Sequence, residues 1–68
     1  MSFGQTVHNR MTQLEKLGEA YHIYVEGEYF DVIDHSPLCI SVTQTNGSVS
    51  ETIYLNLDQI KVLQIVEL

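Results

Sequence analysis

Asp34, His35 and Cys39 bring a carboxylate, an imidazole and a thiol close together in the chain, with His22 one predicted strand upstream. A thiol becomes a nucleophile when a neighbouring base takes its proton, so covalent chemistry here would pair Cys39 with His22 or His35. Cys39, however, stands in an alternating strand. No third group orients the base, and no feature is placed to hold an oxyanion. The chain therefore reads as non-enzymatic, with no catalytic residue. Nor do Asp34, His35 and Cys39 form a zinc signature, because closed zinc sites take four ligands. Asp34 is better read as a local backbone cap in the turn Asp34-His35-Ser36-Pro37. No metal and no cofactor is expected.

The aromatic side chains offer binding rather than bond-making. Tyr21, Tyr24, Tyr29, Phe30 and Tyr54 fall in three predicted strands and suit a core or subunit interface. They also suit, less directly, a platform for stacked bases. Glu26, Glu28, Asp31 and Asp34 flank one predicted hairpin. As a solvated edge they would discourage aggregation; as a patch they would dock onto a basic protein partner.

The elements that must position these residues are one helix and five short strands. Val7, Met11, Leu14 and Leu17 recur at spacings of four, three and three, and Phe3 extends the stripe, so a helix is predicted over 3–17. Ser2 with Gln5 resembles a capping box, and Gly18 is a natural stop. Strands are predicted at Ala20–Glu26 and Glu28–Asp34, the second with a bulge or sharp twist near Asp31. Leu38–Asn56 alternates strictly on both sides of Asn46-Gly47, the strongest short-range hairpin signal. Glu51 is the one charge among its inward set. The final strand, Ile60–Leu68, is apolar on both faces, which calls for cover on both.

A 68-residue chain forms one domain near the lower limit for folding alone. Its single cysteine cannot close an internal disulfide, so oligomerisation is the expected supplement. Three Lys and Arg against nine Asp and Glu give a formal charge of −6, which repels phosphates at long range. No signal peptide and no apolar run of membrane-spanning length is visible, so a cytoplasmic protein with no membrane contact is expected. The fold class read from these elements is mainly β with an N-terminal helix. A five-stranded, bent small barrel over about residues 20–68 is favoured, since closure removes unpaired edges.

The order of elements resembles the Sm-like (LSm) family, a grammar shared in part by SH3-like barrels. "ETIYLNLDQIKVLQIV" looks like the second Sm motif, and "VIDHSPLCISV" resembles the Asp-containing turn of the first. The resemblance covers roughly residues 5–67. It implies a homo-oligomeric ring in which strand four of one copy pairs with strand five of the next, with Ile53, Leu55, Val62, Leu63, Ile65 and Val66 at the interface. It also implies an RNA or nucleotide site near the pore, where His35, Ser36, Tyr54 and Asn56 would stand. The family's Asn after the turn Asp is absent here. Its Arg-Gly or Lys-His is replaced by Leu55-Asn56 or Asn56-Leu57. The leading expectation is thus a homo-oligomeric protein-interaction module, such as an inhibitor or adaptor. An Sm-like RNA- or nucleotide-binding ring is the alternative.

Overall fold

The computed structural model describes residues 2–68, the side chain of Asn46 excepted. One helix, α1 (Phe3–Lys16), precedes five strands: β1 (Tyr21–Val25), β2 (Glu28–His35), β3 (Cys39–Asn46), β4 (Val49–Asn56) and β5 (Gln64–Glu67). They form a single antiparallel sheet in the order β4-β3-β2-β1-β5.

Helix α1 starts where the sequence signals it. The Ser2 hydroxyl accepts the backbone N–H of Gln5 at 3.1 Å, satisfying one of the orphan donors of the first turn. The reciprocal half of a capping box is missing, because the Gln5 side chain donates to Asn9 instead. The helix closes one residue earlier than predicted, with Leu17 as C-cap. Gly18 follows at φ 72°, and the N–H of Glu19 reaches back to the carbonyl of Leu14. This 6→1 bond with a left-handed residue is a Schellman closure. Gly4, Val7, Met11 and Leu14 form the buried face.

The β1–β2 hairpin turns on Glu26 (φ 51°) and Gly27 (φ 86°), the two positive angles that a type I′ turn needs. Strand β2 then serves both halves of the sheet. Glu28, Tyr29 and Phe30 pair with β1, whereas Asp31 through His35 pair with β3. Ile33 is an extra residue in that second ladder: Val32 faces Val42, but Asp34 faces Ser41. The bulge lies two residues beyond the Asp31 position expected from sequence. It bends the strand and inverts which side chains point inward.

Strands β3 and β4 pair from Cys39–Asn56 to Asn46–Val49. The turn is therefore Gly47-Ser48 rather than Asn46-Gly47, with Gly47 at φ 67°. The predicted alternation holds in the middle of the hairpin, where Ile40 and Val42 are buried and Ile53 and Leu55 pack against the same core, but Leu38 and Val49, expected on the same inward side, are exposed at its ends.

The C-terminal stretch departs furthest from expectation. Only Gln64–Glu67 is strand; residues 57–63 are a crossing loop. Leu57, Ile60 and Leu63 of that loop plug the core. An apolar run spent on a plug cannot also extend the ladder. For the same reason the sheet is open. Strand β5 pairs with β1 alone, so β4 and β5 are free edges instead of closing a barrel. Helix α1 lies across the mouth of the bent sheet. Its N-terminal turn approaches Pro37 and Leu57, and its Arg10 meets Glu67 at 3.4 Å.

Candidate functional site

Two groupings of polar side chains stand out, one on each face of the sheet. The first joins α1 to β1 and β2. His8 Nδ1 lies 2.7 Å from His35 Nδ1; His35 Nε2 lies 2.8 Å from Glu15 Oε2; and the Tyr21 hydroxyl donates to that same oxygen at 2.5 Å. The Ile33 bulge makes this possible. In an unbroken ladder His35 would share the outer face with Tyr29 and Asp31, but after the bulge it sits opposite buried Ile40 and faces the helix. Its side chain is only 8% exposed. The hydrogen bond from Tyr21, helped by the neighbouring His35, holds the Glu15 carboxyl below its usual range against a smaller opposing effect of burial. Burial, followed by the facing Glu15 carboxylate, pushes the Tyr21 phenol well above its usual range.

The second grouping lies on the outer face. The two-residue turn at Glu26-Gly27 sets Val25 opposite Glu28, and by the same register His22 stands opposite Asp31. Their side chains meet, His22 Nδ1 to Asp31 Oδ1, at 2.5 Å. They line an open groove of about 590 Å³ that runs over β1, β2, β3 and β5, with Tyr29, Thr43, Val66 and Leu68 among its walls. Tyr24 and Tyr29 pack beside it with ring centroids 4.7 Å apart.

The residues singled out in the sequence are distributed as follows. His35 faces α1, whereas Tyr54, opposite Ser41 on the outer side of β4, is 71% exposed. Ser36 Oγ caps its own turn by accepting from the N–H groups of Leu38 and Cys39, and Asn56 Oδ1 accepts from the Asp58 N–H. The four do not converge on one surface. Of the expected interface residues, Ile53, Leu55, Leu63 and Ile65 pack on their own core; Val62 is exposed and half-buried Val66 lines the groove. Among the acidic residues, Asp31 is engaged by His22, and Asp34 Oδ1 accepts the His35 N–H. Glu26 and Glu28 sit exposed at the hairpin end. Cys39 is half-buried and shares the outer parity of Ser41, away from His35. Among the described residues, no group of three or more His, Cys, Asp or Glu side chains is arranged to hold a metal ion.

The sequence reading missed His8 and Glu15. Their separation of seven residues puts them on one side of α1, a signal that was available. Comparison with known proteins finds no matching family model, no matching curated protein and no matching solved structure. Among the described residues, no helix is long and apolar enough to cross a membrane.

Proposed function

We propose that this chain is a non-enzymatic, homo-oligomeric binding module that works on a protein partner, with copies joined edge to edge by β4 and β5. The observation that carries the reading is the pair of free edges at opposite ends of one sheet. Antiparallel ladders alternate between residues bonded to their neighbour and residues turned away. The bonds Leu57 N–H to Leu38 and Leu68 N–H to Ala20 fix that phase. The outward backbone groups are therefore those of Ser50, Thr52 and Tyr54 on β4, and Ile65 and Glu67 on β5.

Proteins that stay monomeric blunt such edges with prolines, lysines or a covering element. Neither strand carries proline or lysine; β4 is eight residues long with Glu51 as its one charge, and β5, with Glu67, is four residues long. Exposed Val62 and Leu68 lie at either end of β5, and exposed Tyr54 lies on β4. Pairing β4 of one copy with β5 of the next joins two different surfaces. Such a contact closes as a ring when its rotation permits, as in the Sm-like arrangement, and it would complete the barrel-like wall that one copy leaves open.

Sedimentation at micromolar concentration tests this directly. The native chain is expected to run as an assembly, and Thr52→Pro, which deletes an outward N–H at an edge position, is expected to run as a folded monomer. A native chain that sediments as a monomer defeats the reading.

A further inference from the structure

We propose that the outer groove binds an arginine side chain, presented by an extended segment of a partner protein, with the guanidinium paired to Asp31 and laid against Tyr29. This deepens the reading of the chain as a protein-interaction module and rests on it, though not on the number of copies in the assembly.

The groove presents acceptors without a matching donor. Among the described lining residues Asp31 alone has a fixed side-chain charge, and none of Arg10, Lys16 and Lys61 lines the groove. Asp31 Oδ1 is taken by His22, while Oδ2 has no hydrogen-bond partner among the described residues, on a side chain 68% exposed. The contact at His22 Nδ1 calls for the tautomer with the proton there. The Thr43 hydroxyl and the Gln44 carboxamide add further acceptor capacity along the wall.

A ligand matched to this surface is rich in donors, positively charged and flat. A guanidinium has five N–H donors and no acceptor, pairs with a carboxylate through parallel bonds, and stacks on aromatic faces. Tyr29, 62% exposed beside Asp31, provides such a face. Val66 and Leu68 supply apolar wall for the aliphatic stem or for a flanking apolar side chain. The volume of the groove lies in the range of sites that hold small ligands. Phosphate-bearing ligands fit poorly, because the Asp31 carboxylate in the lining is negative and the whole chain stands at −6.

The test is a fluorescence anisotropy titration of the full chain with a fluorescein-labelled Gly-Val-Arg-Val-Gly peptide, beside a twin in which neutral citrulline replaces arginine. The arginine peptide is expected to bind about tenfold or more tightly than the citrulline twin, as charge-assisted bonds allow. Asp31→Asn keeps an acceptor for His22 and removes the charge; it is expected to weaken binding about tenfold. Asp34→Asn removes the same charge outside the groove and is expected to leave binding within about twofold, the change that screened long-range attraction produces. Equal binding of the two peptides, equal losses in the two variants, or no binding by the native chain at low salt overturns the proposal. Sedimentation of the same samples reads the assembly separately, so a monomer that still discriminates arginine leaves the docking site standing.

Discussion

The Nδ1 atoms of His8 and His35 stand 2.7 Å apart, so one proton lies between them and there is no room for two. His35 Nε2 faces the Glu15 carboxylate at 2.8 Å and must donate to it. A His35 ring with one proton then accepts at Nδ1 from His8, and a ring with two donates there to His8. The result is a continuous hydrogen-bonded chain from His8 through His35 to Glu15, with Tyr21 donating from the other side. It ties α1 to the sheet at a point where β2 has been turned inward by its bulge.

Because the two rings serve one bond, their loss should not add. His8→Ala leaves the nearly buried His35 nitrogen without its partner and is expected to cost about 1–2 kcal/mol. His35→Ala is expected to cost about as much or more, since it also frees Glu15. The double variant should cost less than the two singles together by about 0.5 kcal/mol or more, the coupling expected of residues in one network. Urea denaturation of the four proteins measures it. Strict additivity would mean that the contact contributes nothing in solution.

The Glu15–Tyr21 bond gives this protein two pH limits of opposite sign. Glu15 has a lowered folded pKa, so its contribution is present above its unfolded value, near 4.5, and disappears as pH falls through the folded one. Tyr21 has a raised folded pKa. Its contribution is complete below the unfolded value of about 10 and is lost as pH rises beyond it towards the folded value. Tyr21→Phe removes the ionising group, so the variant should lose less stability between neutral and strongly alkaline pH than the native chain. Denaturant midpoints across that range decide the matter; parallel curves for the two proteins would count against it.

How much of this was legible beforehand depends on how local each feature is. The α1 stripe, its Ser2 cap and the strict alternation around Ile40, Val42, Ile53 and Leu55 are written within a few residues of where they act. The pairing of His22 with Asp31 was also within reach, since a two-residue turn at Glu26-Gly27 fixes that register. The inward turn of His35 was not. It depends on one extra residue at Ile33, and the choice of which residue to leave unpaired is made by the whole sheet packing against α1. Likewise Leu57, Ile60 and Leu63 carry the composition of a strand but act as a plug. Periodicity cannot separate these uses, because both need apolar residues close together.

Gly4 marks a second place where α1 touches the sheet closely. A Cβ built there would lie 1.8 Å from the Pro37 carbonyl oxygen, a backbone atom that cannot swing aside. On helix propensity alone Gly4→Ala should gain about 1 kcal/mol. Moving the helix or the Ser36–Leu38 turn to admit the methyl is expected to cost about 1–3 kcal/mol, as overpacking does. The steric effect should win, and the variant should melt at a lower temperature with normal helix content before the transition. A higher melting temperature would mean that the helix end and the Pro37 turn do not meet in solution.

Glu26 is the only non-glycine residue among those described with positive φ, at 51°. It holds the first central position of the type I′ turn, where asparagine followed by glycine is the favoured pair; here Gly27 is already in place. A left-handed angle at an ordinary side chain costs about 1–2 kcal/mol, and asparagine reduces that by bonding locally. Glu26→Asn also takes one negative charge from a hairpin that carries Glu28 and Asp31 nearby, so strain and repulsion fall together. The variant is expected to gain about 0.5–1 kcal/mol in urea denaturation. Arginine-peptide binding should be unaltered, since Glu26 does not line the groove. Glu26→Gln separates the two contributions: it removes the charge and keeps the backbone preference, so it should recover only the smaller, salt-dependent part of the gain. Equal gains from both variants would assign the effect to charge and leave the turn geometry without energetic consequence.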